Sequence, residues 1–222
     1  RRVNVGGKLL TNWLKEIVSY RQWNMMDEFK LMDDVKKALC YVSLDFDQEL
    51  YNTQAEIRRI KFEFSGNRNK EASSFAHSLL QQQTGPSIKR HYVLPDFQTV
   101  MHGYVKEDAA AAEAGDGDGP TAVEEQVLSM ESERFTVPEV LFNPSDVGVQ
   151  QAGIAEACAM AINSLEPDVQ CLVARNIILT GGNTLFPNFQ TRFQREVRML
   201  LPDTIDDAVH LPDEPILYGW RS

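Results

Sequence analysis

Two pairs of adjacent glycines hold the clearest chemical potential in the sequence. Gly6-Gly7 follows Val3-Asn4-Val5, and Gly181-Gly182 follows Ile177-Ile178-Leu179-Thr180. Each pair reads as a turn between a short strand and a helix. Adjacent glycines turn the backbone sharply and let a phosphate approach amides at a helix N-terminus, where partial positive charge gathers. The same pattern also serves a tight strand-to-helix connection that holds no ligand. Neither unit is a Walker loop, because Lys8 lacks the spaced preceding glycine and the following Ser or Thr. Lys36, with Asp33, Asp34 and Lys37 around it, reads either as a cation beside a nucleotide or as part of a solvated face paired at helical spacing.

No other constellation points to catalysis. His77, His91, His102 and His210 have no metal-ligand spacing, and Cys40, Cys158 and Cys171 form no CxxC pair. No GxSxG, HExxH or Cys/His arrangement occurs, and no carboxylate pair is placed for acid–base work. The expectation is a protein without catalytic or metal-binding residues of its own. The cysteine usage suggests a reducing compartment, cytosol or nucleus.

These residues need elements to position them. Leu9, Leu10, Trp13, Leu14, Ile17 and Val18 are spaced as one face of a helix of about three turns. A second helix is expected from about Glu28 to Leu39, burying Met32, Val35, Ala38 and Leu39. Residues 40–46 are either extended or the end of that helix. Tyr92 to Asp96 reads as a strand and turn, and Pro138 and Pro144 as brackets around a short apolar helical turn. A small-residue helix is expected around Ile154, Ala155, Cys158, Ala159 and Ile162. Asn176 to Thr180 reads as a buried strand, and Arg2 to Val5 as another. Pro187 suits the first turn of a last helix with Phe189, Phe193, Val197 and Leu200 on its apolar face.

The chain has 222 residues, 43% hydrophobic and 24% charged, with a formal net charge of −10. That balance fits an ordinary globular protein and argues against electrostatic wrapping of nucleic acid. The charge is concentrated: nine acidic residues and no Lys or Arg lie between Glu107 and Glu133, leaving −1 for the remainder. Residues 107–126, with Ala109 to Ala112 and Gly115-Asp116-Gly117-Asp118-Gly119-Pro120, read as a disordered acidic loop. Residues 54–90 read as a second insert, of net charge +4, in which Phe62, Phe64 and Phe75 stand out as anchors for a partner. No run reaches the about 20 apolar residues of a membrane-spanning helix, so no membrane partner is expected. A start without Met and an abrupt end at Ser222 suggest a piece of a longer chain.

Four segments in order resemble the actin family: Gly6-Gly7-Lys8-Leu9-Leu10-Thr11-Asn12-Trp13-Leu14, Leu39-Cys40-Tyr41-Val42-Ser43-Leu44-Asp45-Phe46, Glu133-Arg134-Phe135-Thr136-Val137-Pro138-Glu139-Val140-Leu141-Phe142, and Leu179-Thr180-Gly181-Gly182-Asn183-Thr184-Leu185-Phe186-Pro187. Asn4 to Lys8, Lys15 to Gln22 and Leu141 to Gly148 are most similar to a nuclear, actin-related branch of it. The resemblance implies an actin-like, sugar-kinase-type α/β fold of which only the second half is present. Residues 6–150 would form the outer lobe, carrying both inserts, and residues 1–5 and 151–222 part of the inner lobe.

By the same resemblance, Gly7, Lys36, Gly181, Gly182, Leu185 and Phe186 match positions that line the adenine nucleotide in actin. ATP or ADP, with Mg held through the other half, is the implied ligand, bound as a static structural group. Asp33 and Lys37 stand where actin has an Arg and a Glu flanking the base, and residues 214–217 lack a Lys that actin has on its far side. The branch implies a non-catalytic scaffold subunit of a nuclear chromatin-remodelling complex that exchanges a variant histone into nucleosomes. Its partners would be the other subunits, including the motor ATPase, and the nucleosome. The alternative is a nucleotide-hydrolysing, filament-forming actin. A sugar kinase of the same superfamily is disfavoured by Cys40-Tyr41-Val42 and Arg134 to Pro138.

Overall fold

Helix α1 (Gly7–Arg21) begins where the glycine pair predicts and runs four turns, one more than the apolar spacing alone indicates. The structure is a computed structural model that describes residues 2–54, 88–96, 100–106 and 126–216. In chain order its helices are α1, α2 (Phe29–Leu39), α3 (Glu133–Glu139), α4 (Ile154–Asn163), α5 (Pro167–Ala174) and α6 (Phe189–Leu200). Its strands are β1 (Arg90–Val93), β2 (Tyr104–Lys106), β3 (Val127–Met130), β4 (Ile177–Ile178) and β5 (Val209–His210). Residues 46–54 are also helical. The expected acidic loop and most of the 54–90 insert, with Phe62, Phe64 and Phe75, lie outside the described residues. No helix among the described residues is long and apolar enough to cross a membrane.

The chain divides into two compact units, residues 1–44 with 133–222, and residues 45–132. In the first unit α1 packs on α2 and α3, and α4 packs on α6. The α1–α2 seam buries Leu10, Leu14 and Val18 against Met32, Val35 and Leu39. Phe135 and Val137 of α3, Ala155 and Ala159 of α4, and Phe189, Phe193 and Val197 of α6 are buried as well. Alanines on α4 leave room for the α6 phenylalanines. Gly153 is required before α4, since a Cβ there would lie 1.7 Å from the Phe142 carbonyl oxygen. β4 and β5 pair in parallel. In the second unit β1 is the centre of an antiparallel sheet of order β2-β1-β3, with Tyr92 and Val93 buried.

Several expectations are corrected. Arg2 to Val5 form no strand: the Asn4 amide donates to the Gln151 side chain at 2.8 Å instead of to a neighbouring strand. On α2 it is Lys36 that is buried and Ala38 that is exposed. Of the two readings offered for the segment after α2, the extended one holds for residues 41–43, whose amides leave the helix: Tyr41 donates to Arg134 O and Val42 to Pro187 O, each at 3.0 Å. Pro138 does not open a helical turn but sits in the last turn of α3. Having no N–H, it leaves the carbonyl of Arg134 unclaimed four residues back, and this is the carbonyl that Tyr41 takes. The strand expected over 176–180 shrinks to two residues, and Ile178 is half exposed because among the described residues only β5 flanks it. Pro187 lies ahead of α6, whose N-cap is Asn188 in the left-handed region at φ 68°, and Leu200 faces outward.

Candidate functional site

The N-terminus of α1 has a glycine cap with no side-chain partner, and the amides of its first turn have no acceptor within the helix. Gly7 is crowded from one side by the second glycine turn: a Cβ on Gly7 would lie 3.2 Å from Asn183 Oδ1 and 3.7 Å from Lys36 Nζ. Gly181 adopts φ 99°, a conformation that favours glycine, and its amide donates to Pro215 O at 3.0 Å. Gly182 then opens a 3-10 turn (Gly182–Leu185) closed by Thr184 Oγ1 donating to Gly181 O at 2.7 Å.

Lys36 is only 3% exposed, which excludes the solvated-face reading for this residue. Its ammonium donates to Gly7 O at 3.1 Å, Thr11 Oγ1 at 2.7 Å and Asp33 Oδ1 at 2.7 Å. An ammonium has three N–H donors, so the set is complete. Thr11, wholly buried on α1, has its hydroxyl within reach of both Gly7 O (2.9 Å) and Asp33 Oδ1 (3.1 Å). Asp33 also pairs with Lys37. Burial pushes the Asp33 carboxyl up, but hydrogen bonds from Lys36 and Lys37 outweigh that and hold it at about 2. The same bond raises the Lys37 ammonium.

Of the residues singled out in the sequence, Gly7 and Lys36 are therefore in direct contact, and Asn183 of the turn after Gly181 lies beside Gly7. Leu185 is half exposed and Phe186 is buried, and neither belongs to the polar network. Thr11 and Asn183 were not singled out. The signal for Thr11 is a hydroxyl on the apolar face between Leu10 and Leu14, one turn after Gly7.

Around this site the family-like segments clasp one another. Arg134 Nε donates to Leu39 O at 2.9 Å, its guanidinium lies 5.0 Å from the Tyr41 ring centroid, and Arg21 pairs with Glu133. Arg192 of α6 reaches Ser43 O at 2.6 Å and the wholly buried Glu139 at 3.0 Å, and Asn143 Nδ2 donates to Glu139 at 2.8 Å. Burial raises the Glu139 carboxyl, opposed by Arg192 and Asn143. Burial also pushes the Cys40 thiol up to about 12, which leaves it protonated and unreactive. Among the described residues no group of three His, Cys, Asp or Glu side chains is placed to hold a metal ion.

The glycine turns, the α1–α2 seam and the interlocked segments define an actin-type domain, and the actin family profile matches residues 1–221. The chain belongs to the actin family. It is similar to actin-related protein 6 of Drosophila melanogaster, 36% identical over 99% of this chain and 47% of that protein. It is likewise similar to actin-related protein 6 of Arabidopsis thaliana, 38% identical over 100% of this chain and 49% of that protein. The protein of the same name from Dictyostelium discoideum is 34% identical over 98% of this chain and 48% of its own length. The chain spans about half the length of these curated relatives.

Proposed function

We propose that the chain is part of a non-catalytic actin-related scaffold subunit of a nuclear chromatin-remodelling complex, one that exchanges a variant histone into nucleosomes. The observation that carries this reading is the end-to-end similarity to actin-related protein 6 of an insect, a plant and an amoeba. The subunit would join other subunits to a motor ATPase, with residues 6–150 contributing the outer lobe and residues 1–5 and 151–222 part of the inner one. The insert at 54–90, with Phe62, Phe64 and Phe75, would dock a partner subunit or the nucleosome.

The test is purification of the tagged full-length protein from nuclei, with identification of the co-purifying chains. Remodelling subunits including an ATPase are expected, and their recovery should fall when residues 54–90 are deleted. Phosphate release with sedimentable polymer at micromolar concentration, and no such partners, would favour a filament-forming actin instead.

A further inference from the structure

The adenine nucleotide implied by the family finds no free ammonium at the glycine turns. Lys36 is the buried cation there, and it has no donor to offer: Gly7 O, Thr11 Oγ1 and Asp33 Oδ1 take all three. The Gly181 amide is likewise spent on Pro215 O. Giving a Lys36 donor to a ligand would strip a bond from an acceptor in a buried setting, which costs more than the new bond returns.

We infer that Asp33 is an internal counter-ion that takes the place of an anionic ligand on Lys36 and closes the site between the two glycine turns to adenine nucleotides. The inference rests on the actin-type reading of those turns. Asp33 is fitted for the role by position. It lies one helical turn before both Lys36 and Lys37, so one carboxylate bonds both ammonium groups, Lys36 through Oδ1 and Lys37 through Oδ2. Thr11 locks the same oxygen from α1, so the carboxylate also ties the two helices together. The Arg and Glu that actin places at positions 33 and 37 cannot do this, since an Arg at 33 would repel Lys36 rather than hold it. The residue pair is thus a specificity determinant: reversed in charge, it trades a ligand-facing cation for an internal salt bridge.

The experiment compares equilibrium binding of fluorescent ADP, in the presence of Mg, to the full-length protein and to its double variant Asp33→Arg with Lys37→Glu. Thermal melting confirms that each is folded. The double variant is expected to bind ADP at least about tenfold more tightly than the unaltered protein. Equal affinity of the unaltered protein and the double variant overturns the inference. Should the double variant not fold, the structure of the unaltered protein at saturating ADP decides. Lys36 still bonded to Gly7, Thr11 and Asp33 supports the inference, and Lys36 Nζ bonded to nucleotide overturns it. Recovery of partner subunits with the same proteins reads the scaffold proposal separately, so either can fail without the other.

Discussion

At Asp33 a single carboxylate accepts from two ammonium groups and lies within reach of a hydroxyl, and its acidity records the two ammonium contacts. Its folded pKa of about 2 lies below the ordinary 3.8, so the unfolded chain binds the proton more readily. The resulting stability is complete above pH 4 and is lost as the pH falls toward 2. Discounted for solvent screening at a carboxylate that is a quarter exposed, it amounts to about 1 kcal/mol. Acid titration of the melting temperature should show this loss in the unaltered protein and a much shallower one in Asp33→Asn. Gly153 gives a second prediction at the same scale. The Cβ of Gly153→Ala would meet backbone rather than a movable side chain, so the start of α4 must shift away from Phe142. A destabilisation of at least about 2 kcal/mol is expected in denaturant melts.

Between elements, the bond from Arg192 to Glu139 and Ser43 O ties α6 to α3 and to the segment after α2. Arg192→Ala leaves the Glu139 carboxylate buried without its cation, and a loss of about 3–5 kcal/mol is expected. Arg195→Ala, on the exposed side of the same helix, should change stability by no more than about 0.5 kcal/mol in the same melts. The helices themselves were legible in the sequence wherever apolar residues recur at helical spacing, as Phe189, Phe193 and Val197 do. What was not legible came from partners distant in the chain. Nothing local marks Lys36 as buried, because its acceptors Gly7 and Thr11 lie on another helix. Arg2 to Val5 look like a strand until Gln151 supplies the partner that a strand would have supplied. Pro138 reads as a boundary in the sequence because proline ends helices, whereas here the carbonyl it frees is a docking point for Tyr41. At the site, motif spacing located Gly7, Lys36 and the Gly181-Gly182 turn. It did not show that a carboxylate one turn away would claim the lysine.

For the chain as a whole, the charge distribution bears on whether it could meet DNA directly. Nine of its net negative charges fall between Glu107 and Glu133, and the remainder is close to neutral, so no broad cationic field is available to release counterions from DNA. On the proposed scaffold role, nucleosome contacts would run through protein, with DNA affinity supplied by other subunits. The full-length relatives are about twice as long as this chain, so the prediction is made for the chain itself. Fluorescence anisotropy with a short duplex near physiological salt should give a dissociation constant no tighter than the roughly 10⁻⁶ M limit of non-specific binding. The dependence of log K on log salt should be shallow, and removing residues 54–90, the only markedly basic stretch, should flatten it further. A nanomolar constant with a slope of several phosphate contacts, retained after that deletion, would place the DNA-binding surface on the near-neutral body and refute the proposed division of labour.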